Sequence, residues 1–142
     1  MRISFACVLL LSATVLAQEN DGYRKFINQH INGDMSADRC DQVIQNRGIT
    51  VTDSNECRNT NTFIRATTNH IRAICQSAGE PYGRGLTKSL LPFNIVVCTL
   101  KNQGARRPRC QYRGQARTRK IAIACQGTFP THFDGDIVYF QD

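Results

Sequence analysis

The stretch that decides the fold runs Cys57-Arg58-Asn59-Thr60-Asn61-Thr62-Phe63 and places a cation directly after a cysteine. A histidine-bearing segment precedes it, Lys25-Phe26-Ile27-Asn28-Gln29-His30, and another follows near the C-terminus, Pro130-Thr131-His132-Phe133-Asp134. Because the unperturbed pKa of histidine is about 6.5, two histidines supply both a base and an acid near neutral pH. A single histidine beside the apolar face of a helix is more often structural, so the interpretation depends on the segments around the pair.

The three segments, in this order, resemble the signature motifs of the pancreatic ribonuclease A superfamily. Its CKxxNTF motif matches residues 57–63 at every fixed position except Arg58, where the family has a catalytic lysine. The resemblance covers essentially all of residues 18–142. It implies a ribonuclease A-like α+β domain with three helices packed on a curved antiparallel β-sheet. It also implies an endoribonuclease that cleaves single-stranded RNA on the 3′ side of pyrimidines, by transphosphorylation to a 2′,3′-cyclic phosphate.

The same resemblance implies a role for each matching residue. His30 is the expected general base, His132 the general acid, and Arg58 the cation at the phosphate. The expected substrate contacts are Lys25 and Gln29 at phosphates and Thr62 and Phe133 at the pyrimidine. Asn61 is expected to hold the cation in place, and Asp134 to orient the His132 ring. His70 has no family motif around it and receives no role.

Arg58 is the main departure from the family pattern. Arginine keeps the positive charge but replaces a compact ammonium with a wider planar fork, which is not a conservative change at a tightly built phosphate site. Misplacing a donor that stabilises a developing anion costs about 10² to 10³ in rate. The sequence therefore predicts weak but real ribonuclease activity.

The N-terminal residues 1–17 have the pattern of a secretory signal peptide. Arg2 precedes an apolar run that ends at Val15-Leu16-Ala17, and this run is too short to span a bilayer. Cleavage there leaves residues 18–142, a length that suits one domain. We expect a secreted, extracellular monomer.

Removal of Cys7 with the leader leaves six cysteines, which in a secreted chain indicate three disulfides. Six cysteines allow 15 pairings, and spacing alone does not select one. Zinc binding is the alternative, but close Cys-x-x-Cys pairs are missing. The resemblance implies the pairs Cys40–Cys98, Cys57–Cys110 and Cys75–Cys125. Pancreatic-type members have a fourth disulfide, and this sequence lacks the cysteines for it. In this respect the sequence resembles the angiogenin-like branch of the family.

The charge of the chain indicates an anionic partner. Losing Arg2 with the leader lowers the formal net charge from +7 to +6. Basic residues crowd the C-terminal half, as expected for binding to RNA, to anionic cell surfaces or to bacterial membranes. The alternative is a solvated basic face that keeps a secreted protein soluble. Nothing in the sequence indicates a metal or an organic cofactor.

Hydrophobic periodicity predicts helices at 23–31, 36–47 and about 64–76. Ser36 is the predicted N-cap of the second helix and Gly48 its C-terminal stop. Short β-rich runs predict antiparallel strands at 94–100, 120–124 and 137–140. The order of helices followed mainly by strands agrees with the α+β fold that the resemblance implies.

Two other functions remain open. One is an angiogenin-like extracellular signal, in which the loop at residues 80–85 docks a receptor. The other is a cationic antimicrobial protein that disrupts anionic membranes and needs neither catalytic histidine. The tail after Asp134 is longer and more apolar than in pancreatic members and resembles an angiogenin segment that partly blocks the pyrimidine pocket.

Overall fold

The computed structural model describes residues 21–138, so the predicted signal peptide and residues 139–142 lie outside the described part. The first helix, α1, occupies residues 21–30. It agrees with the helix predicted at 23–31, and its apolar stripe buries Phe26 at 1% exposure. Within residues 21–138, no helix is long and apolar enough to cross a membrane.

The second helix, α2 (Cys40–Arg47), begins later than predicted. A 3-10 turn, Ala37–Arg39, precedes it. Ser36 stands at the start of that turn, but its hydroxyl bonds the Asp38 carboxylate at 2.5 Å instead of a backbone N–H, so the predicted cap is wrong. Gly48 ends the helix as predicted, because its φ of 64° is a left-handed conformation that glycine adopts without a steric penalty.

The third helix, α3 (Thr68–Arg72), is shorter than the predicted 64–76 and continues into a 3-10 turn, Ala73–Cys75. It begins after Thr67, whose hydroxyl accepts the His70 N–H at 3.2 Å. The prediction was wrong at the start because Ile64 is the last residue of a strand, residues 60–64, and the helix begins only at Thr68. Four consecutive residues of that strand are buried, so the alternation that marks a half-buried strand is missing.

Six strands form the sheet: β1 (Thr60–Ile64), β2 (Gly79–Pro81), β3 (Leu86–Ser89), β4 (Phe93–Leu100), β5 (Tyr112–Gln126) and β6 (Phe129–Ile137). All pairings are antiparallel, in the order β1-β4-β5-β3-β2, with β6 also paired to β5. The predicted strand at 94–100 is confirmed. The predicted strand at 120–124 is only the centre of β5.

The 15-residue strand β5 is the spine of the sheet. Its first half pairs with β4, and its second half lies between β3 and β6. This change of partners along one long strand divides the sheet into two connected wings and confirms the predicted architecture. Of the strand predicted at 137–140, Ile137 is the last residue of β6 and Val138 lies outside it, whereas residues 139–140 are outside the described part. Pro130 and Gly135 within β6 obscure its strand pattern.

The core has two parts that flank the middle of the sheet. One contains Met35, Val43, Ile44 and Phe63 under α2, and the other packs α1 and α3 against Ile95, Ile121 and Ile123. Two disulfides, Cys40–Cys98 and Cys57–Cys110, lie in or against the first part, and the third, Cys75–Cys125, packs against the second. These pairings are those that the resemblance implies.

Candidate active site

The end of α1 fixes the position of His30. The Asn32 N–H donates to the Ile64 carbonyl at 3.0 Å and joins the chain after the helix to the end of β1. His30 is buried, and its Nδ1 lies 2.9 Å from the Thr62 carbonyl oxygen. A carbonyl oxygen only accepts hydrogen bonds, so Nδ1 carries the proton and Nε2 is left as the basic nitrogen of the neutral ring.

Burial lowers the pKa of His30 to about 4. The Thr62 carbonyl opposes this change, whereas the positive charges of Arg58 and His132 add to it. A group with this pKa is neutral at pH 7, because the solvation that stabilises an imidazolium is lost on burial. His30 is therefore ready to accept a proton at physiological pH.

Neighbouring groups hold the guanidinium of Arg58 at three of its nitrogen atoms. Nε and Nη2 donate to the Thr50 carbonyl at 3.3 and 3.1 Å, and Nη1 donates to Asn61 Oδ1 at 3.0 Å. Asn61 is itself fixed, because its Nδ2 donates to the Gln29 carbonyl at 2.9 Å. A guanidinium has five N–H groups, and three of them make these bonds. Among the described residues the other two have no acceptor, so they are available to an anion.

His132 lies on β6 between two register shifts. Its neighbours Thr131 and Asp134 are the extra residues, because His132 pairs with Ala124 and Phe133 with Ile123. Bulges of this kind bend a strand and redirect its side chains. One bulge lies on each side of the pair His132 and Phe133, and both residues line one cleft.

Phe133 and Thr62 form the apolar end of the site. The Phe133 ring stacks on the His30 imidazole with centroids 5.0 Å apart and an interplanar angle of 27°. Thr62 is 5% exposed and supplies the carbonyl that orients His30. The same two residues thus shape the cleft and contact the His30 ring.

A single cleft of about 470 Å³ brings most of the predicted residues together: Gln29, His30, Arg58, Asn61, Thr62, His132, Phe133 and Asp134. Lys25 lies outside this cleft, exposed on α1. Within the described residues, no hydrogen bond joins Asp134 to His132. Sequence reasoning missed further lining residues: Thr52, Thr60, Val97, Gly135 and Asp136. Only Asp136 offered a signal, since it is an acidic residue two positions after the motif.

Comparisons with known proteins agree with this geometry. The family model described as pancreatic ribonuclease matches residues 21–134. Ribonuclease-like 3 of Danio rerio is 37% identical over 142 residues, which cover 94% of this chain and 95% of the relative. Angiogenin of Rhinopithecus avunculus is 38% identical over 137 residues, covering 94% of this chain and 90% of the relative.

Solved structures give the same result. The X-ray structure of zebrafish RNase5 superposes with a TM-score of 0.80 at 42% sequence identity, covering 83% of this chain and 96% of the other. Green turtle egg white ribonuclease superposes with a TM-score of 0.73 at 36% identity, covering 82% and 98%. With a matching family model, relatives that extend over nearly the whole chain and the same fold, this chain belongs to the pancreatic ribonuclease A family.

Proposed function

We propose that this chain is a secreted endoribonuclease that cleaves single-stranded RNA on the 3′ side of pyrimidines. The observation that carries the proposal is the hydrogen bond from His30 Nδ1 to the Thr62 carbonyl. It supports a neutral ring with a basic Nε2, in a cleft that also contains a second histidine and a cation. Those are the three components that RNA transphosphorylation needs.

The reaction proceeds in one displacement at phosphorus. Nε2 of His30 removes the proton of the ribose 2′-hydroxyl, and the 2′-oxygen forms a bond to the adjacent phosphorus. The bond from phosphorus to the 5′-oxygen breaks as His132, in its protonated form, gives a proton to that oxygen. The products are a 2′,3′-cyclic phosphate and a free 5′-hydroxyl, and each histidine leaves the step in the protonation state opposite to the one in which it entered.

Arg58 and Gln29 contact the phosphate in this proposal. The two N–H groups of Arg58 that remain after its bonds to Thr50 and Asn61 face the charge that develops at phosphorus. Asn61 holds the guanidinium in place. Lys25, outside the cleft, attracts the polyanion without reading its sequence.

Thr62 and Phe133 select the base. The Thr62 backbone and hydroxyl bond the Watson-Crick edge of a pyrimidine, and the Phe133 ring stacks against it. Asp134 is proposed to orient His132 when substrate closes the site, because catalytic hydrogen bonds are often long in the free enzyme. The proposed protein acts as a monomer and needs no cofactor.

The test is steady-state cleavage of a fluorogenic single-stranded substrate that contains one ribo-pyrimidine. His132→Ala should abolish activity, whereas Arg58→Lys should raise kcat/KM by on the order of tenfold, since an ammonium fits the phosphate site more closely than the fork. His70→Ala is the matched control, because His70 is exposed on α3 and lies outside the cleft. Equal background rates for the wild type and His132→Ala would reject the proposal.

A second candidate is an angiogenin-like extracellular signal, favoured by the similarity to angiogenin over nearly the whole chain. The proposed receptor contact is the hairpin of β2 and β3, where Tyr82 is 44% exposed at the tip. An endothelial growth assay separates the two functions. Signalling that His132→Ala retains and Tyr82→Ala loses would assign the hairpin to a receptor, and loss in His132→Ala alone would assign the effect to RNA cleavage.

A further inference from the structure

Asp136 is an acidic residue of the cleft that the proposed reaction does not use. It lies on β6, three residues after Phe133, and lines the same cleft as Thr62. Its side chain is 31% exposed, so the carboxylate is accessible without being fully solvated. An anion in a cleft for a polyanion opposes binding unless it makes a contact of its own, and this calls for an explanation.

The surroundings of Asp136 leave part of its carboxylate available. Oδ2 lies 3.6 Å from Arg119 Nε, which is too long for a good hydrogen bond. Arg119 Nε is buried and has no hydrogen-bond partner within residues 21–138. Oδ1 of Asp136 makes no hydrogen bond to any described residue. The carboxylate is thus held toward β5 by one oxygen, and the other remains free to accept.

Gly135, the residue before Asp136, carries no side chain. A Cβ atom built on it would meet no atom of residues 21–138 within 4 Å. The neighbouring position of β6 therefore adds no side chain that fills the cleft. Thr62, Phe133 and Asp136 line this cleft together, so a base held by the first two lies in the same cleft as the carboxylate.

An ionised carboxylate only accepts hydrogen bonds, and the two RNA pyrimidines differ in what they present at position 4. Cytosine has an amino group that donates, whereas uracil has a carbonyl oxygen that accepts. We propose that Asp136 selects cytosine over uracil at the base position formed by Thr62 and Phe133. This inference rests on the proposed function and names its preferred substrate, RNA cut after cytidine.

A binding measurement tests the inference without requiring catalysis. Calorimetry with 3′-CMP and 3′-UMP gives the ratio of their Kd values for the wild type, Asp136→Asn, Asp136→Ser and the control Asp34→Asn. Asp34 is an exposed carboxylate outside the cleft, so its substitution makes the same charge change elsewhere. The wild type and Asp34→Asn should bind 3′-CMP on the order of tenfold more tightly than 3′-UMP.

Both Asp136 variants should bring that ratio close to one, because an amide and a hydroxyl can donate to the uracil oxygen as well as accept. A wild-type ratio near one, or a ratio that neither variant changes, would overturn the inference. Two variants are used so that a folding defect in one leaves the other decisive, with thermal melting as the check.

Cleavage assays on substrates with one ribocytidine or one ribouridine complete the test. One outcome separates the two proposals. If His132→Ala abolishes the wild-type activity but Asp136→Asn leaves the ratio of cytidine to uridine cleavage unchanged, the role of Asp136 is overturned and the ribonuclease proposal stands. Cleavage by the wild type no faster than by His132→Ala would reject the proposed function, and the Kd ratio would then decide whether Asp136 still selects cytosine.

Discussion

The burial of His30 gives a prediction that is independent of substrate: in the folded protein His30 should titrate near pH 4. The ordinary pKa of histidine is about 6.5, and a fall to about 4 corresponds to about 3.4 kcal/mol in favour of the neutral ring. The cause is desolvation, because the imidazole is stacked on Phe133 and packed near Phe26. On the proposed function, the acid limb of kcat/KM should fall in the same range.

The assay is an NMR titration of the imidazole Hε1 resonances, with His70→Ala and His132→Ala used for assignment. Phe133→Ala removes the ring stacked on His30 and should move the midpoint upward toward 6.5, because water then reaches one face of the imidazole. A midpoint at or above pH 6 in the folded wild-type protein would refute the reasoning. If Phe133→Ala does not move the midpoint, the lowered pKa of His30 is not caused by burial against the Phe133 ring.

The same pKa makes folding depend on pH, and the sign follows from proton binding. Between pH 6.5 and 4, His30 is protonated in the unfolded chain and neutral in the native state. The titration of His30 therefore leaves the free energy of unfolding unchanged above pH 6.5 and decreases it as pH falls through this range. From pH 7 to 4.5 the loss is about 2.5 kcal/mol. Urea denaturation at pH 7 and 4.5 gives the decrease in the free energy of unfolding for each protein. This decrease should be smaller by about 2.5 kcal/mol in His30→Gln than in the wild type. Equal decreases in the two proteins would contradict the prediction.

Three further variants test the packing of the fold by urea denaturation at pH 7. Arg47→Ala should cost roughly 1.5 to 3 kcal/mol, because the guanidinium donates to backbone carbonyls at the end of α1, and a cost below about 0.5 kcal/mol would contradict that role. Gly114→Ala should destabilise by about 1 to 3 kcal/mol, since the added Cβ would overlap the Ala37 carbonyl, and wild-type stability would show that the turn yields freely. Replacing Cys75 and Cys125 together by alanine should cost about 2 to 5 kcal/mol, whereas an unchanged midpoint would mean that the bridge adds nothing to stability.

The fold class and several residues that line the cleft could be predicted because the sequence motifs that indicate them are short and local. His30, Arg58 and His132 each lie in a segment of five to seven residues that can be matched without any long-range information. The structure places all three in one cleft. The helix at 23–31 and the stop at Gly48 also follow from local rules, namely the spacing of apolar residues and the left-handed conformation of glycine.

What could not be predicted depends on pairing between distant strands. The strand at residues 60–64 was not predicted, because its burial on both faces follows from pairing with β4, which the sequence of β1 does not encode alone. The bond from His30 to the Thr62 carbonyl has no sequence signal, since every residue carries a carbonyl. Asp136 was missed although it is an acidic residue close to the motif, because its place in the cleft depends on bulges in the register of β5 and β6.

Two side chains of one type have different environments in this cleft, and the fold creates the difference. His30 lies at the end of a helix, covered by Phe133 and bonded to a backbone carbonyl, whereas His132 lies exposed on a bent strand. This difference in burial is one ground for proposing the base role for His30 and the acid role for His132. On the proposed function, the buried base can reach only a hydroxyl that has entered the cleft, and the exposed acid stands where the 5′-product departs into solvent. Selectivity for bound RNA then follows from the burial that lowers the pKa of His30.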